Sequence, residues 1–309
     1  LVSEILVPAV KAHISDFPPF SNGLDGIEGN IGTISSLEFI DQNPIGKSSR
    51  SCPVTYVKAF DEIRALLSGT TQSKARGLKP SHFSFNVAGG RCETCEGEGV
   101  ITVGMQFMAD LKLTCENCGG KRYNDDLLEI TWRGKNIHEI LSMTVEDALM
   151  FFAPLDEKAS SSTEKRLLTK LQPLFDVGLG YITLGQGSNT LSGGEAGRIK
   201  LATFLSRGDK QGHTLFVFDE PTTGLHVHDV AKLLESFERL IKIGHSIVVV
   251  EHQLDVINRS DYVLDLGPGG GEDGGDLIFS GTPENLMKCK RSVTGKHLRK
   301  KTAPSDFSK

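Results

Sequence analysis

Apolar and polar positions along the chain fall into three zones with different periods. Ile5, Leu6, Val10 and Ile14 recur at helical spacing, and the apolar run ISSLEFI (34–40) beyond a turn-rich stretch predicts a strand. From about 51 to 205 the pattern is mixed. Helices are predicted at VKAFDEIRALL, HEILS, VEDALMFF and EKRLLTKLQPLF, with an alternating segment, LLEITW, and a stretch rich in glycine and cysteine between them. From about 206 to 290, HTLFVFDE and HSIVVVEH are short continuous apolar runs of the kind buried parallel strands show. The amphipathic stretch VAKLLESFERLIKIG lies between them and ends at a glycine, so the order is strand, helix, strand. The tail, 291–309, has no apolar period and is expected to be a disordered basic segment.

The cysteines add chemistry to the second zone. Cys92-x2-Cys95 and Cys115-x2-Cys118 are spaced as two turns that each present two thiolates to one tetrahedral zinc, in a module at about 85–125. Four thiolates close the coordination shell, which points to a structural and not a catalytic ion. Cys52 and Cys289 have no partners in this pattern and read as ordinary thiols.

Composition sets limits on the rest. No apolar run approaches membrane-spanning length, and the start lacks the basic region and cleavage site of a signal peptide, so a cytoplasmic protein without disulfides and without a membrane partner is expected. The net charge is −5, yet Lys47, Arg50, Lys58, Arg64, Lys74, Arg76, Lys79 and Arg91 between Pro44 and Arg91 face only Asp61 and Glu62. Lys74, Arg76, Lys79 and Arg91, with Lys121 and Arg122 beyond the second cysteine pair, are candidate DNA contacts around the zinc module. Phe83, Phe85 and Tyr123 suit stacking on bases there; for Phe83 and Phe85 the equal alternative is the small core the module needs.

A second constellation is LSGGEAGR (191–198) followed by LFVFDEPTTGLH. Four apolar residues ending in Asp219-Glu220 make a Walker B arrangement, in which the first carboxylate serves magnesium and the second polarises the attacking water. Ser192, Gly193 and Gly194 offer a hydroxyl and open backbone N–H groups at a predicted helix start, suited to a phosphate, and His252 ends the next strand. The GKS of DQNPIGKSSR is not a P-loop, because the position five residues before its glycine is Asp41. Gly269, Gly271 and Gly274 satisfy a bare G-x-G-x-x-G, but DLIFSG after them predicts a strand where a dinucleotide site needs a helix.

FNVAGGRCETCEGEG, CENCGGKRYN, LGQGSNTLSGGE, DEPTTGLH, VVVEHQLDVI and DYVLDLGPGGG together resemble the ABC ATPases, and within them the second half of the UvrA family of bacterial nucleotide excision repair. The resemblance covers nearly the whole chain. It implies an α/β fold: an ABC-type nucleotide-binding domain of the P-loop NTPase class without its P-loop, with an inserted helical signature domain and a zinc-ribbon-like module. Residues 1–50 and 206–290 would form the ATP-binding core and 51–205 the signature domain. By the same resemblance, Ser192, Gly193, Gly194 and Glu195 would face a nucleotide held by the other half of the molecule. Asp219 would serve Mg2+, Glu220 would be the general base, His252 the switch histidine, and Gln42 the Q-loop glutamine. In the family a sequence like LVSEILVPAV directly follows GKS or GKST, so the chain is expected to be a fragment that hydrolyses no ATP alone.

The implied cofactors are ATP, Mg2+ and structural Zn2+. The implied partners are duplex DNA with lesions, a second copy in a homodimer of the full-length protein, and the next repair subunit, UvrB. Two other readings share these residues: a UvrA-like paralogue in drug resistance, and a non-enzymatic zinc-stabilised module that binds DNA or a partner. Where the family usually reads LSGGEAQR this chain has Gly197, which either weakens a contact across the composite site or lowers helix propensity by about 1 kcal/mol.

Overall fold

The computed structural model describes residues 1–15, 24–41, 43, 45–46, 50–105, 110–154, 161–207, 212–269 and 274–302. A π-helical turn, Val2–Leu6, runs into α1 (Val7–Ile14), and β1 (Ser36–Ile40) follows. Next come α2 (Pro53–Tyr56), α3 (Phe60–Ser68), α4 (Thr71–Ala75) and a hairpin of β2 (Val100–Val103) and β3 (Leu111–Thr114). After α5 (Asp125–Leu128), β4 (Thr131–Trp132) and β5 (Lys135–Asn136) make a two-residue ladder. Helices α6 (Ile137–Leu141), α7 (Val145–Phe152), α8 (Ser162–Asp176) and α9 (Gly193–Arg207) precede β6 (Thr214–Asp219). The last part holds α10 (Val227–Lys242), β7 (Ser246–Val250), α11 (Leu254–Arg259), β8 (Val263–Gly267), β9 (Asp276–Gly281), α12 (Pro283–Leu286) and α13 (Val293–Thr302).

The central sheet has the order β1-β6-β7, all parallel, with Ile40 opposite Phe218 and Asp219 opposite Val250. It therefore pairs residues 178 positions apart in sequence, Ser36 with Thr214, across the whole helical middle of the chain. Period-2 alternation explains why β6 reads as a continuous apolar run. Leu215 and Val217 pack with Val7, Val10 and Leu37 on one side, while Phe216 and Phe218 enter the larger core on the other. That larger core includes Ile63, Leu67, Phe152, Leu167, Leu171, Leu174, Ile199 and Phe237, so α3, α7, α8, α9 and α10 share one apolar interior with the sheet.

Local chemistry sets the helix ends. Ser161 and Glu164 form a reciprocal capping box at the start of α8, and Asn136 and Glu139 do the same for α6. The predicted helix over VKAFDEIRALL forms but starts three residues late: Lys58 has φ +59, which separates α2 from α3, and α3 begins only at Phe60. LLEITW contributes the end of α5 and only two strand residues.

The tail corrects the expectation of disorder. Val293–Thr302 is the helix α13, packed on α11 and α12 with Leu298 fully buried. Gly295 allows this approach, since a Cβ there would stand 2.2 Å from the Leu286 carbonyl oxygen. Sequence periodicity missed α13 because one leucine and one glycine make its whole inner face. Residues 303–309 lie outside the described residues. Among the described residues, no helix is long and apolar enough to cross a membrane.

Candidate nucleotide site and cysteine cluster

β6 and β7 end side by side and deliver the acidic residues of the site. Asp219 and Glu220 line an open cleft of about 450 Å3 together with Ser3, Phe39, Asp41 and Asn43. Glu220 has φ +44, the left-handed region a side chain enters only when its surroundings hold it there. Its N–H donates to the Val250 carbonyl at 2.9 Å, so the β7 partner strand fixes that turn. One carboxylate oxygen of Glu220 is 3.4 Å from His252 Nε2, and the other accepts from the Thr223 hydroxyl at 3.4 Å. The acidic lining suits a hard cation with oxygen ligands such as Mg2+. Gln42 lies outside the described residues.

Sequence reading missed Glu251. Its Oε1 accepts from both the N–H and the hydroxyl of Thr222, at 2.9 and 2.6 Å, and its Oε2 accepts from the N–H groups of His252 and Gln253. A single carboxylate thus clamps the loop after Glu220 to the loop carrying His252. Its only sequence signal was a place beside His252 at a strand end.

Ser192 to Glu195 start α9. Ser192 N–H donates to Glu195 Oε2 at 2.7 Å and Glu195 N–H donates to Ser192 Oγ at 3.3 Å, a reciprocal cap that leaves the hydroxyl exposed at the helix start. Glu195 also accepts from the Tyr181 hydroxyl at 2.7 Å. Burial and that bond to Glu195 push the Tyr181 hydroxyl up to about 12. Arg198, buried one turn along, donates to the Pro221 carbonyl at 3.3 Å. A Cβ on Gly194 would stand 2.6 Å from the Thr223 carbonyl oxygen. The helix start is therefore pressed against the loop after Glu220.

Gly197 faces its own chain, since a Cβ there would lie 3.4 Å from Ile40 Cγ2 and 3.6 Å from the Asp41 carbonyl oxygen, ordinary contact distances. Three residues on, the Lys200 ammonium donates to Asp41 Oδ1 at 2.7 Å and to the Asn43 carbonyl at 3.1 Å. Burial raises the Asp41 carboxyl, but Lys200 and the hydrogen bonds from Asn43 together outweigh it and hold Asp41 below the ordinary carboxylate range.

The four cysteines predicted as ligands converge. Cys92, Cys95, Cys115 and Cys118 are buried with their sulfurs all within 4.8 Å of one another, an arrangement able to hold a metal ion such as zinc. Two turns shape it: Gly97 and Gly99 have φ +82 and +77, and a Cβ on Gly97 would meet the Phe85 carbonyl oxygen at 2.1 Å. Asn117 Nδ2 donates to Cys92 Sγ at 3.3 Å and Gly99 N–H donates to Cys95 Sγ at 3.2 Å. Burial raises the Cys92 thiol, but the bonds from Asn117 and the backbone prevail and lower it; at Cys95 burial wins and raises it.

Phe83, Phe85 and Tyr123 are fully buried, so they are core. The Tyr123 hydroxyl donates to the Phe83 carbonyl at 3.0 Å, and Phe85 stacks on Phe60 at 5.0 Å between centroids. The candidate DNA contacts divide. Arg76 is paired with Glu129 at 2.7 Å, Arg91 lies 3.5 Å from Glu93, and the Arg122 guanidinium sits 5.4 Å over the Phe85 ring. Lys74, Lys79 and Lys121 are exposed. Arg50 bridges to the cysteine module through Glu96 at 3.3 Å and Glu98 at 3.5 Å.

Comparison with known proteins matches this architecture. UvrABC system protein A of Clostridium perfringens is 49% identical over 303 residues, covering 97% of this chain. UvrABC system protein A of Aquifex aeolicus is 50% identical over 300 residues, also covering 97%. The crystal structure of UvrA2 from Deinococcus radiodurans superposes with a TM-score of 0.82 at 45% identity, covering 96% of this chain and 35% of that one. The chain spans 31% of the length of the first two relatives. No family model matches it.

Proposed function

The chain belongs to the UvrA family as a segment about a third as long as its relatives, and from that premise we propose that it supplies part of the ATP-hydrolysing core of a DNA damage-recognition subunit in bacterial nucleotide excision repair. The observation that carries the proposal is the meeting of Glu220 and His252 at the ends of β6 and β7, beside Asp219 in an acidic cleft. Asp219 would hold the Mg2+ of a bound ATP, an ion that neutralises charge developing on the phosphates. Glu220 takes the proton of the attacking water, and His252 keeps that carboxylate aimed. Gln42 completes this set as the residue that senses magnesium and water.

Ser192, Gly193, Gly194 and Glu195 present a hydroxyl and N–H groups to a nucleotide held by the other half of the assembled protein. No G-x-x-x-x-G-K stretch occurs in the 309 residues, so this chain by itself turns over no ATP. Cys92, Cys95, Cys115 and Cys118 hold one structural Zn2+, and Lys74, Lys79 and Lys121 beside that module contact duplex DNA. The whole protein works in the cytoplasm as a homodimer that clamps damaged DNA and loads UvrB.

Grafting this segment in place of its counterpart in the Clostridium perfringens relative tests the reading. The graft is expected to restore ultraviolet survival to bacteria lacking their own UvrA, and the same graft with Glu220→Gln is expected not to. Equal survival with both grafts would remove Glu220 from the mechanism.

A further inference from the structure

The stretch from Lys288 to Thr302 holds seven Lys or Arg residues and no Asp or Glu, in a chain whose net charge is −5. Folding makes this stretch a fixed surface. Leu298 is fully buried, and Ser292 Oγ accepts from the Gly295 N–H at 2.7 Å to cap α13. The Ser292 and Thr294 hydroxyls donate to the Asp265 carboxylate of β8 at 2.6 and 3.0 Å. Two of the cations serve the same anchoring: Lys301 pairs with Asp255 of α11 at 2.7 Å, and Arg299 donates to the Met287 carbonyl at 2.8 Å.

Four others do not. Lys290, Arg291, Lys296 and Lys300 are exposed and meet no carboxylate or other acceptor among the described residues. Lys296 and Lys300 are one turn apart on one face of α13, and Lys290 and Arg291 lie in the turn leading into it. Unneutralised like charges repel one another, so nothing in the fold is served by holding four of them on one helix and the turn before it.

We propose that this face binds the phosphodiester backbone of duplex nucleic acid without regard to base sequence. Neutralising a series of phosphates is the interaction that spaced, free cations on a helix and its leading turn can make. The stretch contains no Phe, Tyr or Trp, so it offers no stacking platform for the bases of a single strand. Nor does it offer a membrane surface an apolar face to insert, because Leu298 is already buried in the fold and Val293 is its one exposed large apolar residue. The inference rests on the nucleic-acid part of the proposed function and adds to it an element separate from the cysteine module.

The test is fluorescence anisotropy of the whole chain with a duplex of about 20 base pairs, over about 50 to 300 mM salt. A variant carrying Lys290→Ala, Arg291→Ala, Lys296→Ala and Lys300→Ala is compared with one carrying Lys74→Ala, Lys79→Ala and Lys121→Ala. Each phosphate contact contributes about 0.9 to the slope of log affinity against log salt, so the four-site variant is expected to flatten it by about 2 to 4. Its melting temperature is expected to stay at the wild-type value, since the four side chains support no contact. A four-site variant with the full wild-type slope overturns the inference, and if the cysteine-side variant alone flattens it, DNA binding as such survives. Wild-type chain with no salt-dependent duplex binding overturns both. Loss of affinity for phosphatidylserine vesicles with duplex affinity intact overturns it in favour of a lipid headgroup.

Discussion

His252 Nε2 stands 3.4 Å from a carboxylate oxygen of Glu220, joining the ends of two strands whose intervening helix spans Val227–Lys242. If the histidine steers the carboxylate, its loss disturbs aim and not the proton acceptor itself. In the Clostridium graft, His252→Ala is therefore expected to lower the ATP turnover number by about 10- to 100-fold, less than loss of a general base costs. Nucleotide affinity measured by titration is expected to stay within a few-fold; turnover equal to the unsubstituted graft would leave the histidine without a role.

The cysteine cluster makes a prediction about metal. Purified chain is expected to contain one zinc, and Cys115→Ser to lose it. Asn117→Ala is expected to keep the zinc but weaken its retention against a chelator by about 10- to 100-fold, because the amide that donates to Cys92 Sγ steadies that ligand. Competition with a chromophoric chelator reads this directly. Identical retention in Asn117→Ala would make the amide a bystander.

Two glycines of one module should differ sharply on substitution. Gly97→Ala places a Cβ 2.1 Å from the Phe85 carbonyl oxygen, which forces backbone movement and costs about 1–3 kcal/mol beyond the left-handed penalty of about 1–2 kcal/mol. Gly119→Ala meets nothing within 4 Å and carries only the conformational cost. Urea unfolding of the two variants should separate them by more than the uncertainty of extrapolation, and equal stabilities would contradict the close packing of the first turn.

A pH dependence follows from Glu62. Burial raises this carboxyl, but Arg166 at 3.1 Å and Lys170 at 2.9 Å outweigh it and hold Glu62 below the ordinary carboxylate range. A carboxylate depressed in the folded state gives stability that is present above its unfolded value and lost as pH falls through the folded one. Glu62→Gln is expected to cost about 1–2 kcal/mol near neutral pH, less than a fully buried pair because the freed cations remain partly hydrated. The difference from wild type should shrink on acidification below about pH 4, near the ordinary carboxylate value. A gap constant from pH 7 to 3 would show that the charge contributes nothing.

Much of this architecture was legible in the residues. The continuous apolar runs around Val217 and Val248 announced parallel strands, and the two C-x2-C pairs announced a cluster whose sulfurs do converge. Features set by tertiary contact were not. Glu251 looked like any acid at a strand end until the fold brought it to Thr222, and the left-handed backbone of Glu220 has no sequence signature. Phe83 and Phe85 look equally suited to bases or to a core, and burial decides for the core; it also takes Tyr123 away from the surface that the sequence assigns it. Arg76, Arg91 and Arg122 looked like free cations because their partners, Glu129, Glu93 and the Phe85 ring, are assigned by folding. α13 was hidden because its anchors, Asp265 and Leu286, lie outside its own sequence.

The most direct test of the account is steady-state ATP turnover by the Clostridium graft with and without Glu220→Gln. The account predicts that the graft hydrolyses ATP and that Glu220→Gln lowers turnover by about 100- to 10,000-fold while ATP still binds, as removal of a general base does. Undiminished hydrolysis in the Glu220→Gln graft would contradict it, and the acids at the end of β6 would then be bystanders to the chemistry.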